Sequence, residues 1–263
     1  MDAEIRRSLA ARGREWPAPI LWLETVGSTN DVMKERARAG ASAWSAVVTQ
    51  RQTAGRGRQG RAWLSPAGNL FLSVLLRPQL APESAGVLPL AAGVAAAEAA
   101  GEWGVDARLK WPNDLVVGER KVGGVLVEAS AGTGGLETAV VGIGINMALD
   151  PASVPPELRG AITSVRAEAG RDPGIAAAAA AVLDRLAVWY DALARDGPPR
   201  VLAAWRARSL PWWGRAVEAR CGDVTLRGVA RGLDGRGALI LDLVDGSQRA
   251  VLSGEVRELR LES

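Results

Sequence analysis

Glycine and arginine crowd the ten residues AGRGRQGRAW, which span residues 54–63 of this 263-residue chain. The set consists of Gly55, Arg56, Gly57, Arg58, Gly60 and Arg61. Because glycine has no Cβ, it lets successive backbone N–H groups turn toward one anion. Arginine adds a planar fork that binds two oxygens at once. The stretch therefore predicts a loop that wraps a phosphate or a carboxylate.

The three glycines also fit the G-x-G-x-x-G pattern of nucleotide-binding loops, but their surroundings argue against its familiar forms. A dinucleotide fold requires a helix directly after the glycines, whereas Pro66 and an apolar strand pattern follow here. A protein kinase requires an H-R-D catalytic loop, and the chain contains no histidine. The G-K-[ST] ending of a P-loop is absent as well. Taken alone, the pattern fits a solvated basic hairpin about equally well.

The composition narrows the chemistry further. Without histidine, any acid–base step falls to carboxylates, lysine or the substrate itself. The single cysteine, Cys221, fits a reducing cytoplasm. A net charge of +3 is too small to indicate nucleic acid by itself. The sequence shows neither a signal peptide nor an apolar run that could span a bilayer, so we expect a cytoplasmic protein without a membrane partner.

Apolar periodicity and turn residues predict the elements that must position the loop. We expect helices over residues 28–40, 84–104, 173–197 and 198–210. We expect strands over residues 45–52, 69–76, 107–117, 121–130 and 136–147. Residues 148–172 are rich in proline and predict a long irregular loop. From Gly214 onward, short strands with Asp-Gly turns predict a small antiparallel barrel of roughly fifty residues.

Separate motifs stand in a fixed order along the chain: STN at 28–30, QTAGRGRQGRAWLSPAGNLFLSVLLRP at 52–78, LKWPNDLVVGERKVGGVLVE at 109–128 and VVGIGINM at 140–147. In this order they resemble the motifs of biotin–protein ligases, also called biotin–[acetyl-CoA-carboxylase] ligases. The resemblance extends from about residue 20 to the end, where SGEVRELR is similar to the small SH3-like domain of that family.

The resemblance implies an α+β fold with a central mixed or antiparallel sheet flanked by helices. This is the class II synthetase-like fold of biotin and lipoate ligases, followed by an SH3-like β-barrel. We expect a catalytic biotin- and ATP-binding domain over residues 1–211 and the SH3-like domain over residues 212–263. The family makes biotinyl-5′-AMP from biotin and ATP and passes the biotinyl group to one lysine of a carrier domain.

The resemblance also assigns roles to individual residues. The positions that match the biotin site are Ser28, Thr29, Asn30, Gln52, Gly55, Arg56, Gly57, Arg58, Lys121, Gly123 and Gly124. Their polar side chains suit the N–H and carbonyl groups of the ureido ring. Ser28, Thr29 and Asn30 also suit a helix N-cap, and the two roles can coexist. The anion that the arginine loop wraps is then the biotin carboxylate, followed by the acyl phosphate.

A second set of residues matches the ATP-binding and catalytic positions of the family. The matching ATP positions are Arg58, Arg61, Trp63, Lys110, Asn113, Asp114 and Asn146. The catalytic residues implied are Lys121, Arg58 and Asp114. Lys121 matches a buried lysine that neutralises the two reacting anions; from local sequence alone it is equally well a solvated turn residue. Asp114 has three open roles, namely holding Mg²⁺, orienting the incoming lysine or supporting structure. For Trp63, packing in the wall is favoured over stacking on adenine.

The implied cofactors are ATP and biotin as substrates, with Mg²⁺. The implied partner is the biotin carboxyl carrier protein domain of acetyl-CoA carboxylase or a related carboxylase, and homodimers are compatible with the family. Only about twenty residues precede the matched region, so we expect no sequence-specific DNA binding. Two alternatives stay open. One is a lipoate–protein ligase, although its motif ends near a histidine that this chain lacks. The other is a nucleic-acid-binding module.

Overall fold

The computed structural model describes residues 1–78, 80–132, 135–150 and 153–259. Its helices are α1 (Asp2–Ala11), α2 (Thr29–Arg38), α3 (Pro82–Ala85), α4 (Leu88–Glu102), α5 (Val165–Ala169), α6 (Ile175–Asp196) and α7 (Pro198–Arg208). Its strands are β1 (Ile20–Trp22), β2 (Ala46–Thr49), β3 (Leu70–Leu76), β4 (Arg108–Lys110), β5 (Asp114–Val117), β6 (Arg120–Gly132), β7 (Gly135–Ile145), β8 (Ala216–Cys221), β9 (Val224–Leu233), β10 (Leu239–Leu243), β11 (Gln248–Val251) and β12 (Glu255–Glu258).

A seven-stranded mixed sheet forms the centre of the larger part, in the order β1-β2-β3-β7-β6-β5-β4. Strands β1 and β2 run parallel, and the other neighbouring pairs run antiparallel. Every residue of β3 is buried, as expected for a central strand covered on both faces. The predicted mixed sheet flanked by helices is confirmed.

Helices cover the two faces of this sheet unequally. On one face α4 packs against the sheet, α6 and α7, and its buried alanines allow close approach. Helix α1 also packs against α6. On the other face lies α2, where Met33 packs with Val47, Leu75 and Val140. One short helix cannot cover the whole face of a seven-stranded sheet, so part of that face is left to other residues.

The second sheet has the order β11-β10-β9-β8-β12, with all neighbouring strands antiparallel. The predicted small antiparallel β-domain is confirmed, whereas the boundary between residues 211 and 212 stays a prediction. This domain contacts the larger part directly, since the indole Nε1 of buried Trp111 donates to the carbonyl oxygen of Gly237 at 3.1 Å. Trp111 thus joins the two parts of the molecule through its indole N–H.

Three features differ from the sequence-based expectation. The single strand predicted over 107–117 is wrong; β4 and β5 are separate, because Pro112 lacks the N–H that a continuous ladder requires. The segment predicted to be irregular contains the 3-10 turn Pro156–Leu158 and α5. Helix α1 was not predicted, although buried Ile5 and Leu9 stand at the i, i+4 spacing of a helix.

No helix within the described ranges combines the length and the apolar character needed to cross a membrane.

Candidate functional site

The centre of the site is a patch of bare backbone on the sheet face that carries α2. Gly124 on β6 lies opposite Gly144 on β7, and Gly142 lies opposite Leu126. Because side chains alternate along a strand, these three glycines share one face. They form the floor of a cavity of about 360 Å³, a volume typical of small-molecule sites.

Neighbouring side chains rest directly on this floor. A Cβ atom added to Gly142 would lie 2.3 Å from Oδ1 of Asn30. A Cβ at Gly144 would lie 3.1 Å from Nε1 of Trp63, and one at Gly124 would lie 3.2 Å from the same ring. The glycines therefore provide the space that the Asn30 amide and the Trp63 indole occupy. Within the described residues, the buried Nε1 of Trp63 has no hydrogen-bond partner.

Polar side chains from the start of α2 close one end of the cavity. The backbone N and Oγ1 of Thr29 lie 2.8 and 3.1 Å from Oε1 of Gln52. The hydroxyl of Ser73 lies 2.7 Å from Oγ1 of Thr29 and 2.6 Å from Oδ1 of Asn30. Ser28 occupies the N-cap position but makes no side-chain capping bond, and it lines the cavity. This end offers fixed donors and acceptors to a polar ring.

The opposite end is charged. The ammonium of Lys121 lies 2.6 Å from Oδ1 of Asp114 and 4.7 Å from the Trp63 ring centroid. Arg58 donates from Nη1 to Oδ1 of Asn113 at 3.4 Å, while the Asn113 amide nitrogen donates to the carbonyl of Val125 at 2.7 Å. The three residues predicted to be catalytic, Lys121, Arg58 and Asp114, thus line one cavity.

The charged side chains at this end are partly buried, and burial changes the pKa of one of them. The Lys121 side chain is half-buried, with 30% exposed, so it is less enclosed than the resemblance implied. Burial lowers the pKa of the Arg58 guanidinium, while the nearby Asp114 carboxylate acts to raise it. Arg58 and Lys121 carry two positive charges against the single carboxylate of Asp114, so an added anion is favourable here. The charged end is therefore suited to a carboxylate or phosphate.

The glycine–arginine loop is a tight hairpin that spreads its arginines. Gly57 N donates to the Arg61 carbonyl, and Trp63 N donates to the Gly55 carbonyl. Arg58 alone of its arginines reaches the charged end. Arg56 binds both carboxylate oxygens of Asp31 at 2.5 Å, and Arg61 forms an ion pair with Glu255 of the second sheet. We expected all the arginines of the loop to surround one anion. Only Arg58 lies at the charged end of the cavity, where such an anion would bind.

The Arg56 pair continues into a network that the sequence did not reveal. Lys34 lies 3.0 Å from Asp31 and 2.8 Å from Glu128. Glu128 in turn accepts from the Asn30 amide at 2.7 Å. The network links the loop, helix α2 and strand β6 to the side chain that rests on Gly142. The i, i+3 spacing of Asp31 and Lys34 was its one local signal.

Three of the expected site residues do not line the cavity. Asn146 is buried, and its amide nitrogen donates to the carbonyls of Lys121 and Thr163 at 3.3 and 2.9 Å. It therefore holds the Lys121 backbone, and its assignment to the ATP site stays a prediction. Gly55 and Gly123 allow close packing, since an added Cβ would lie 2.3 Å from Ser65 Oγ and 2.9 Å from the Gly144 carbonyl, respectively.

The remaining expected residues lie along the cavity wall: Gly57, Arg61, Trp63, Lys110 and Gly124. Four charged residues of the second sheet also line the cavity, although the sequence indicated no role for them: Glu218, Arg220, Glu255 and Arg257. Their alternation along the strands was visible in the sequence, but their position over the cavity depends on long-range packing.

Two known protein families match this chain, one in the part with the seven-stranded sheet and one in the part with the second sheet. The Biotin/lipoate A/B protein ligase family matches residues 22–146, and the Biotin protein ligase C terminal domain matches residues 213–257. The biotin--[acetyl-CoA-carboxylase] ligase of Paracoccus denitrificans is 36% identical, over 83% of this chain and 92% of that protein. The bifunctional ligase/repressor BirA of Escherichia coli is 35% identical, over 89% of this chain and 72% of that protein.

Solved structures show the same similarity in three dimensions. The biotin protein ligase of Aquifex aeolicus, in complex with biotin and ATP, superposes with a TM-score of 0.77 at 31% identity. The match covers 92% of this chain and 99% of that one. The fold described above is therefore similar to that of a protein whose structure has been solved with biotin and ATP.

The Arg56–Asp31 pair predicts a measurable contribution to stability. Replacing Asp31 by Asn should lower the free energy of unfolding by at most about 1 kcal/mol near neutral pH, because solvent screens a half-exposed pair. The bond from Arg56 lowers the pKa of Asp31 from 3.8 to about 2. The contribution is therefore present above the unfolded-state value and is lost as pH falls through the folded-state value.

Urea unfolding of wild type and Asp31→Asn at several pH values between about 7 and 3 tests this expectation. The difference should be constant down to about pH 5 and shrink below about pH 4. Glu35→Gln is the matched control, because it removes a charge from an exposed position of the same helix. A difference that stays the same at the lowest pH would contradict the assigned pairing.

Proposed function

We infer that this chain, which belongs to the family of biotin protein ligases, activates biotin as biotinyl-5′-AMP and transfers the biotinyl group to a lysine of a carrier protein. The observation that carries the conclusion is the cavity itself. It has a flat glycine floor, hydroxyls and amides at one end, and Lys121, Asp114 and Arg58 at the other. Biotin has the same sequence of features, namely a polar ureido ring, an apolar body and a carboxylate.

The two reactions follow from these positions. A biotin carboxylate oxygen attacks the α-phosphorus of ATP, and the bond from that phosphorus to the bridging oxygen breaks, so that pyrophosphate leaves with the electron pair. The amine of the carrier lysine then attacks the acyl carbon, and AMP leaves. We propose that Lys121 reduces the repulsion between carboxylate and triphosphate, and that Asp114, at 2.6 Å, holds its ammonium in place.

The chain supplies no metal cage of its own, since no cluster of three or more potential ligands occurs among the described residues. Mg²⁺ is usually bound by one or two carboxylates together with substrate phosphates. Asp114 is a carboxylate on the cavity wall, and it fits that role. We propose that Asp114 would hold Mg²⁺ together with the phosphates of ATP, where the ion would supply neutralising charge.

The finer points of partner and location are also proposals. We propose a biotin carboxyl carrier domain as acceptor, because the relative from Paracoccus denitrificans is a biotin--[acetyl-CoA-carboxylase] ligase. We propose a cytoplasmic location and leave open pairing into a homodimer. We further propose that the chain does not recognise a DNA sequence. A net charge of +3 supplies little attraction to phosphates, so a gel shift should show weak, salt-sensitive binding only.

The reaction itself is tested by mass spectrometry of a carrier domain after incubation with the protein, ATP, Mg²⁺ and either biotin or lipoate. Addition of one biotinyl group to a single lysine is the expected result. Modification with lipoate instead would favour the other branch of the family, and no modification with either acid would contradict the proposal.

Lys121→Ala tests the catalytic assignment. Loss of the ammonium should remove roughly 2 to 4 kcal/mol of transition-state stabilisation and leave the thermal unfolding midpoint almost unchanged. Pyrophosphate release at saturating biotin measures the loss, and unfolding monitored by circular dichroism controls for folding. A folded variant with near-normal pyrophosphate release would show that Lys121 is not the neutralising group.

Arg58→Gly tests the loop as a lid. We expect the loop over residues 55–61 to order around biotin and to shield the adenylate, a mixed anhydride, from water. The variant should bind biotin more weakly, because a charge-assisted contact of roughly 1.5 to 3 kcal/mol is lost. It should also release adenylate that labels unrelated lysines.

The experiment incubates the variant with biotin, ATP and albumin and detects biotin by blotting. Arg51→Gly is the matched control, because Arg51 is exposed and does not line the cavity. If Arg58→Gly still makes adenylate but labels albumin no more than wild type, the loop is not a lid.

A further inference from the structure

One buried carboxylate in the second sheet lies among three arginines. The side chain of Glu218 on β8 is only 1% exposed. Arg227 on β9 and Arg257 on β12 stand directly opposite Glu218 in the two neighbouring strands, and Arg220 follows two residues later on β8. Because side chains two residues apart share a face of a sheet, the four residues form one cluster, which we call the arginine wall.

The geometry leaves most donors of the arginine wall unused. Arg220 and Arg227 each reach Glu218 through Nε, at 3.2 and 3.0 Å, and Arg257 reaches it through Nη2 at 2.9 Å. A guanidinium carries five N–H donors, so the terminal groups of Arg220 and Arg227 stay available. The three arginine side chains are 59 to 66% exposed. Three positive charges against one carboxylate leave an excess of two.

The arginine wall faces the reaction site. Glu218, Arg220 and Arg257 line the same cavity as Lys121 and Arg58. Glu255, which stands opposite Arg220, also lines it and forms the ion pair with Arg61 of the glycine–arginine loop. The second sheet therefore contributes part of the cavity wall.

Three other cations of the cavity are already engaged in ion pairs. Arg56 is paired with Asp31, Arg61 with Glu255, and Lys121 with Asp114. Arg58 stands beside the position assigned to the carboxylate. ATP brings about four negative charges, of which those on the β- and γ-phosphates leave as pyrophosphate. Besides Lys110, which lines the cavity with its Nζ 5.8 Å from the centroid of the Trp212 ring, the arginine wall supplies spare positive charge and N–H donors near these phosphates.

We propose that the arginine wall, through Arg220 and Arg257 with support from Arg227, binds the β- and γ-phosphates of ATP and the pyrophosphate that leaves. The proposal rests on the proposed function, since it requires a nucleotide in the cavity. Glu218 is a positioning residue that holds the three guanidiniums side by side. A folded acidic partner is a poorer occupant, because the arginines face a concave cavity that is shared with the reacting groups.

The test removes both cavity-lining arginines in Arg220→Gln/Arg257→Gln. The KM for ATP should rise by about tenfold to a hundredfold, as expected when charge-assisted contacts are lost. Biotin affinity should not change. Single-turnover transfer from preformed biotinyl-5′-AMP to the carrier domain should also stay at the wild-type rate, because pyrophosphate has no part in that step.

Arg249→Ala is the matched control, because it removes an exposed arginine of the same domain that does not line the cavity. If the double variant melts at a lower temperature than wild type, Arg220→Gln and Arg257→Gln are used singly. Each of these leaves two arginines on Glu218 and should raise the KM for ATP by a smaller factor.

Calorimetric titration with inorganic pyrophosphate separates this proposal from the proposed function, since it does not depend on which acid is activated. Wild type should bind pyrophosphate and the variant should bind it at least about tenfold more weakly. Equal pyrophosphate binding and an unchanged KM for ATP would overturn the proposal. Slower transfer from preformed adenylate, with ATP unaffected, would also overturn it and would assign the arginines to an acidic face of the carrier.

Discussion

Asn30 rests on the bare backbone of Gly142, and the rest of the site depends on that contact. Its Oδ1 lies where a Cβ of residue 142 would otherwise stand, at 2.3 Å. Its amide nitrogen donates to Glu128, whose carboxylate binds Lys34. Lys34 binds Asp31, which in turn holds Arg56 of the glycine–arginine loop. A flat floor and a loop anchored beside it are thus consequences of one missing side chain.

The charged end of the cavity is suited to a carboxylate and a phosphate that react with each other. Without histidine the chain has no neutral base in the usual range, and the adenylation step needs none, because the attacking carboxylate is already ionised. What the step requires is charge neutralisation in a partly desolvated space. We propose that Lys121, which is held by Asp114, and Arg58, which is partly buried, provide it. The ordered motifs along the chain serve this arrangement rather than proton transfer.

Local sequence predicted those parts of the structure that depend on neighbours along the chain. The start of α2, the apolar strand β3 and the alanine-rich α6 follow from caps, periodicity and composition. The separation of β4 from β5 was missed although Pro112 signals it. The glycines of GIGIN alternate as a strand face requires, but their meeting with Gly124 depends on the register between β6 and β7. Arg56 with Asp31, and Glu218 with its arginines, are pairs that only the folded chain brings together.

The most direct test of this account is the affinity for biotin when the floor is given one side chain. In Gly142→Ala the new Cβ displaces the Asn30 amide, so calorimetric titration should show biotin binding weakened by at least about tenfold in a protein that still folds. Gly101→Ala is the control, because nothing lies within 4 Å of a Cβ there, and it should bind biotin as wild type does. Wild-type affinity in a folded Gly142→Ala variant would contradict the claim that the bare face of the sheet is the acid-binding floor.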